Sequence, residues 1–307
     1  MRVVWNSKLC KFNQICGEKG IMSKILVLAG GSVKGAFQAG VIKALFEKGY
    51  QPDAIYGVSA GSLNAAYLVN QFGQQVNAGT SISYPQAAQD LWDFWELRIT
   101  RPDCLSKPFN IFQLGWTALT KSFKGLVDTS PLRDLLSNVL QERNLNSSPV
   151  ALKVGAVNIM EGTMHYVDPS FENFLDYLMA SSAVPILMPV VKIEGLNQKS
   201  FLDGGLRNVA PLQKAINDGA TEVVVIACHT EMIEGGDFDS GDLLALVDRV
   251  MDIAVNEILN ADLLVSRSNV KLEIIRPLQP LSIDIQHFTK MDIRRMLETG
   301  YALGLSK

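Results

Sequence analysis

The tightest constraint on this fold is an apolar run that stops at a pair of glycines and reopens as a helix. Lys24 to Ala29 reads KILVLA and ends at Gly30-Gly31. It lacks the polar alternation of a half-exposed strand, so it predicts a parallel strand buried on both faces. Ala36, Phe37, Val41, Leu45 and Phe46 then recur at helical spacing until Gly49, ahead of Pro52. Asp53 to Tyr56 reads as a second strand and Ser62 to Asn70 as a second helix. Strand, helix, strand and helix in this order make a βαβ unit with a right-handed crossover.

The same vocabulary returns further on. Strands are predicted at Leu152 to Asn158, Thr163 to Val167, Val190 to Ile193 and Glu222 to Cys228, and helices at Phe171 to Ser182 and Asp242 to Leu264. In the last helix Leu243, Leu246, Val247, Val250, Ile253 and Ala254 form one apolar stripe. Alternating elements with continuous apolar strands argue for a three-layer α/β/α fold with a mainly parallel central sheet. Apolar residues make up 48% of the 307 positions, enough to cover both faces of such a sheet. Ser83 to Leu126 differs, being rich in aromatics between the second helix and the capping sequence Asp128-Thr129-Ser130-Pro131. It predicts a helical insertion over one end of the sheet. Within it Phe109, Phe112, Trp116 and Phe123 alternate with Lys107, Lys121 and Lys124, a pattern suited either to packing over the sheet or to meeting a lipid surface.

Charge excludes one class of function. The net charge is −3, so no overall field draws a nucleic-acid backbone. The four cysteines, Cys10, Cys16, Cys104 and Cys228, form no C-x-x-C pair and have no histidine at zinc spacing. They read as reduced structural thiols, with no metal or cofactor implied. The first 20 residues are charged throughout and show no signal-peptide core, and no apolar run reaches the ~18 residues that span a bilayer. The expectation is a cytoplasmic protein with residues 1–21 as a disordered extension and 22–307 as one domain, its oligomeric state open.

Three short motifs carry the chemistry. Gly57-Val58-Ser59-Ala60-Gly61 matches the nucleophile elbow G-x-S-x-G, in which a strand turns sharply into a helix and lifts the serine hydroxyl clear. Gly30-Gly31-Ser32-Val33-Lys34-Gly35 lies where the first strand meets the first helix, and backbone N–H groups at such a turn can receive an oxyanion. As a nucleotide loop it fails, because it has neither the glycine spacing of G-x-G-x-x-G nor the Lys-Ser/Thr of a P-loop. Phe201-Leu202-Asp203-Gly204-Gly205 brings a carboxylate out of a short strand onto a glycine turn.

Taken together and in this order, the three motifs resemble the patatin-like phospholipases. The family pattern is a turn G-G-G-x-R/K-G, an elbow G-x-S-x-G and a later D-G-G/A. Ala180-Ser181-Ser182-Ala183-Val184-Pro185, Asn208 and Pro211 also fit it, so the resemblance covers Lys24 to Cys228. It implies a lipid acyl hydrolase of the phospholipase A or lysophospholipase type, acting on a lipid or phospholipid substrate, with peripheral contact at a membrane surface as a further expectation. Ser59 would be the nucleophile and Asp203 its only side-chain partner. Gly30, Gly31 and Ser32 would supply the oxyanion hole through the amides of Gly31 and Ser32, supported by Lys34, Gly35, Gly57, Gly61, Gly204 and Gly205. Ser32 departs from the pattern, since it stands where the family has its third glycine. Two rivals stay open: a Ser59-Asp203-His229 triad in the order of the α/β-hydrolases, and a catalytically silent lipid-binding module on the same fold. His165, His229 and His287 otherwise read as structural or surface residues.

Overall fold

The computed structural model describes residues 23–109, 125–193, 199–233, 243–264 and 269–307. Its strands are β1 (Lys24–Leu28), β2 (Ala54–Val58), β3 (Lys107–Pro108), β4 (Val127–Asp128), β5 (Ala151–Asn158), β6 (Thr163–Val167), β7 (Val191–Ile193), β8 (Lys199–Asp203), β9 (Glu222–Ile226) and β10 (Lys271–Ile275). The α-helices are α1 (Gly35–Glu47), α2 (Ala60–Asn77), α3 (Tyr84–Arg98), α4 (Ser130–Val139), α5 (Glu142–Ser147), α6 (Phe174–Ser181), α7 (Leu212–Asn217), α8 (Leu243–Leu263) and α9 (Lys290–Leu305).

The main sheet runs β10-β9-β1-β2-β5-β8-β7, with β6 added to β5. From β10 to β5 all pairings are parallel, and beyond β5 they are antiparallel. Burial explains the apolar β1. Leu26 and Leu28 pack with α1 and α2 on one face, while Ile25, Val27 and Ala29 pack with Val209, Leu212, Ala215 and Leu259 on the other. A strand sandwiched in this way has no solvent side on which to alternate.

The path of β5 sets up the site. Its N-terminal half pairs with β2, up to Val58 against Gly155. The next residue, Ala156, pairs with Asp203 of β8, and β6 occupies the opposite edge of the same stretch. The ends of β2 and β8 therefore meet on one edge of β5. Ser59, which follows Val58, is set beside Asp203 by adjacent positions of a single strand.

The described part of the aromatic segment packs inward. Helix α3 opens at the Ser83 cap, whose hydroxyl accepts from the Gln86 amide, and buries Leu91, Phe94 and Trp95 against α1 and α2. Phe112, Trp116, Phe123, Lys121 and Lys124 lie outside the described residues, as do positions 1–21 with Cys10 and Cys16. The cap before α4 acts through Asp128, whose carboxylate accepts from the Ser130 amide and hydroxyl.

Helix α8 corrects the sequence reading. Leu243, Leu246, Val250 and Ile253 of its apolar stripe are exposed, and only Val247 of that set is buried. The inward face carries Val247, Met251, Val255 and Leu259, which pack into hydrophobic clusters, with Asp252 and Asn256 set beside them where the helix borders a cavity. The apolar row is therefore displaced from the predicted stripe, a rotation that hydrophobic patterning alone does not foresee. Strand β10 and helix α9 went unpredicted. The latter starts with a reciprocal cap between Thr289 and Asp292 and crosses α1 so closely that a Cβ at Gly40 would lie 2.0 Å from the Leu297 carbonyl. Among the described residues no helix is long and apolar enough to cross a membrane.

Candidate active site

Ser59 stands between β2 and α2 at φ 55° and ψ −131°, a conformation that costs a non-glycine residue roughly 1–3 kcal/mol. Its neighbours enforce it. A Cβ at Gly61 would lie 2.2 Å from the Leu28 carbonyl oxygen, and one at Gly57 would lie 2.5 Å from the Gly61 oxygen, so α2 starts hard against β1 and β2. The Ser59 amide donates to the Ser181 hydroxyl at 3.0 Å, which in turn donates to the Gly155 carbonyl at 2.7 Å. Ser181 thus ties the turn to β5, a role the sequence did not reveal although the residue lies in a matching stretch.

Asp203 is 6% exposed. Burial pushes its carboxyl up to about 6, against the opposing pull of the Ser59 hydroxyl and the Gly205 amide. The Gly205 N–H donates to it at 2.7 Å. The carboxylate thus faces the serine directly and is kept far more basic than an aspartate in water.

At the end of β1, Gly31 lies so close to Cys228 that a Cβ would approach its Cβ to 2.3 Å, and Ser32 adopts φ 51°. The amides of Gly31 and Ser32 donate to no other described residue, which leaves them open to a ligand. Gly30 requires a correction: its amide donates to the Val209 carbonyl at 3.0 Å and is not available to an oxyanion. Its place in the site is steric, since a Cβ there would lie 3.2 Å from the Ser59 Cβ. Gly35 likewise makes room for Trp95, and Gly204 for the β5 backbone.

Lys34 points to α8 and pairs with Asp252 at 2.9 Å. The same carboxylate oxygen lies 3.0 Å from His229 Nε2. Burial works to raise the Asp252 pKa, but the His229 hydrogen bond and the Lys34 charge outweigh it and hold the carboxyl well below the usual range. Burial lowers His229 in spite of Asp252. A neutral imidazole beside a carboxylate must carry its proton on Nε2. His229 therefore belongs to Asp252, while Asp203 faces Ser59 without an intervening imidazole; the Ser59-Asp203-His229 triad is not assembled. A second α8 carboxylate, Asp262, accepts from Asn208 and from the amides of Val209 and Ala210. Through Val209 this brace reaches Gly30. Asp252 and Asp262 were missed in the sequence, where the only signal was polar residues recurring on one face of α8.

Gly31, Lys34, Ser59, Asp203, His229 and Asp252 all border one cavity of about 660 Å³, within the usual size for a ligand site. His165 and His287 do not join Ser59 or Asp203 by hydrogen bonding: His165 lies by Thr163, and His287 bonds Asp284.

A family model described as patatin-like phospholipase matches residues 26–216, well over half of the chain and all three motifs. The chain belongs to this family. It is also 29% identical over 204 residues to the uncharacterized protein YjjU of Escherichia coli strain K12, a match covering 66% of this chain and 50% of that protein. The chain thus spans about half the length of that curated relative. Among solved structures, VipD from Legionella pneumophila is similar at a TM-score of 0.43 and 14% identity, over 93% of this chain and 66% of that one. Family membership fits a lipid-ester hydrolase in general terms.

Proposed function

We propose that this patatin-like protein cleaves carboxylic esters of lipids through Ser59 and Asp203 alone, by way of an acyl-enzyme. The observation that carries this reading is the direct approach of the Ser59 hydroxyl to a buried carboxylate, with two unengaged amides on the adjoining turn. Asp203 takes the Ser59 proton as Oγ attacks the ester carbonyl carbon. The developing oxyanion turns to the amides of Gly31 and Ser32, where one such donor is typically worth ~3–4 kcal/mol of barrier. The protonated Asp203 then gives its proton to the departing alkoxide as the ester C–O bond breaks. Water, deprotonated by the same carboxylate, releases the acid and restores Ser59. An aspartate at its ordinary pKa is a poor base at neutral pH, and the elevation to about 6 brings Asp203 into a useful range. Lys34, engaged by Asp252, holds the turn in place rather than meeting the oxyanion.

The deciding experiment is covalent labelling by a fluorophosphonate, followed by peptide mass spectrometry, alongside an assay on a panel of acyl esters and phospholipids. Modification at Ser59, lost in Ser59→Ala together with ester hydrolysis, is the expected result. A Ser59→Ala protein that keeps more than a few per cent of turnover sinks the assignment.

A further inference from the structure

Two cavities meet at Ser59, and they differ in chemistry. The large one contains Asp203, Gly31, Lys34 and His229. The small one, of about 60 Å³, opens at Ser32, Ser59 and Ala60 and is walled by Leu63, Phe94, Trp95, Leu132, Leu136 and Leu140. Ser32 and Ser59 border both; Asp203 borders only the large one.

This asymmetry orients the substrate, given the Ser59–Asp203 mechanism on which the inference rests. Once Ser59 has bonded to the carbonyl carbon, that carbon carries the oxyanion, the leaving alkoxide oxygen and the acyl chain. The oxyanion is assigned to the amides of Gly31 and Ser32. The leaving oxygen must receive the proton held by Asp203, so the alcohol has to depart into the large cavity. The small pocket, whose walls are almost wholly apolar, is the one on the far side of Ser59 that suits the chain. We infer that this pocket between α2, α3 and α4 is the acyl subsite, and that it selects esters of short to medium-length aliphatic acids while the large cavity accepts a bulky polar alcohol.

The walls support a fixed upper limit on chain length. A water-sized group needs roughly 10–15 Å³ of free space, so the pocket holds on the order of five methylene-sized groups. Trp95 is anchored: its indole N–H donates to Asn64 Oδ1 at 2.8 Å, and the Asn64 amide donates to the Gly35 carbonyl and to Gln38 Oε1. The wall on α4 is thinner. Leu132 and Leu136 form a small cluster with Met179, apart from the main core, so they can be altered without opening the sheet.

The test uses 4-nitrophenyl alkylphosphonates of increasing alkyl length. Attack by Ser59 Oγ forms the Oγ–P bond and expels nitrophenolate, and the alkyl group sits where the acyl chain would. Labelling rates at Ser59 are compared with kcat/KM on 4-nitrophenyl esters of the same lengths. The wild-type optimum is expected near about four to eight carbons, with a loss of roughly tenfold or more at the longest chains. Leu136→Ala should move the optimum to longer chains by about three carbons, the number it removes. Leu140→Phe should move it to shorter ones and decides the matter alone if Leu136→Ala fails to fold by circular dichroism. Leu281→Ala, in the large cavity, should leave the chain-length optimum in place. An optimum that ignores both pocket variants, or that shifts in Leu281→Ala instead, overturns the inference while sparing the serine mechanism. Failure of every phosphonate and ester to react at Ser59 removes that mechanism and this subsite with it.

Discussion

The turn after β2 and the turn after β1 lie side by side, since Leu28 pairs with Gly57, and each holds a serine at positive φ, Ser59 as the proposed nucleophile and Ser32 in the proposed oxyanion hole. Their reasons differ. At Ser59 the side chain is the proposed nucleophile, a task glycine could not perform, and the positive-φ turn is fixed by Gly57, Gly61 and Ser181. At Ser32 only the amide is assigned a task, and the exposed hydroxyl makes no hydrogen bond to another described residue. The first turn is braced by the sheet and α6, the second by the α8 carboxylates acting through Lys34 and Val209. On the proposed mechanism, strain is needed at Ser59, where the side chain acts, and dispensable at Ser32, where the backbone does.

The sharpest way to probe the contrast is Asp203→Asn, which should lower kcat/KM by about a thousandfold or more, because an amide cannot take the Ser59 proton. Wild-type activity should rise with pH around a midpoint near 6, as the carboxyl ionises. Stability moves the other way. The folded protein holds this proton more tightly than the unfolded chain, so the Asp203 contribution is full below about pH 4 and is lost as pH rises through about 6. Asp203→Asn should therefore be the more stable protein at pH 8, by about 2–4 kcal/mol in urea unfolding, and equal to wild type near pH 4. A mutant weakened at pH 8 would refute the raised pKa.

Next in size, Gly61→Ala should cost about 3 kcal/mol or more, since the added methyl meets the Leu28 carbonyl and no flexible side chain is there to yield. A mutant with a wild-type urea midpoint would show that the nucleophile turn is not held by this approach. A milder effect is expected on the other turn. His229→Ala removes a partner of Asp252 but leaves Lys34 in place, so kcat/KM should stay within about tenfold of wild type. A collapse of kcat in the folded mutant would return His229 to the proton path and reject the two-residue mechanism. The smallest change should come from Ser32→Gly, which relieves the positive φ and should raise stability by about 0.5–1 kcal/mol with activity kept or improved. A hundredfold loss would mean that the Ser32 hydroxyl itself donates.

Local sequence determined most of the strands and the turns on which Ser59 and Asp203 stand. A buried parallel strand, a glycine-bounded elbow and an Asp-Gly-Gly turn each have a short-range physical cause that leaves its mark in consecutive residues. Strand β10 was lost because its alternating exposure, at Lys271 and Glu273, mutes the apolar signal. The face of α8 is not legible locally because apolar residues lie all round it: Val247, Met251, Val255 and Leu259 pack inward beside Asp252 and Asn256, while Leu243, Leu246, Val250 and Ile253 are exposed. What only the tertiary structure decided was which of the candidate groups meet. The β5 register set Asp203 beside Ser59, the Val209 carbonyl withdrew the Gly30 amide, and Asp252 took His229 out of the triad. Those outcomes depend on contacts between residues far apart in the chain, Gly30 with Val209 and Ser59 with Asp203 among them, and no local pattern carries information over such spans.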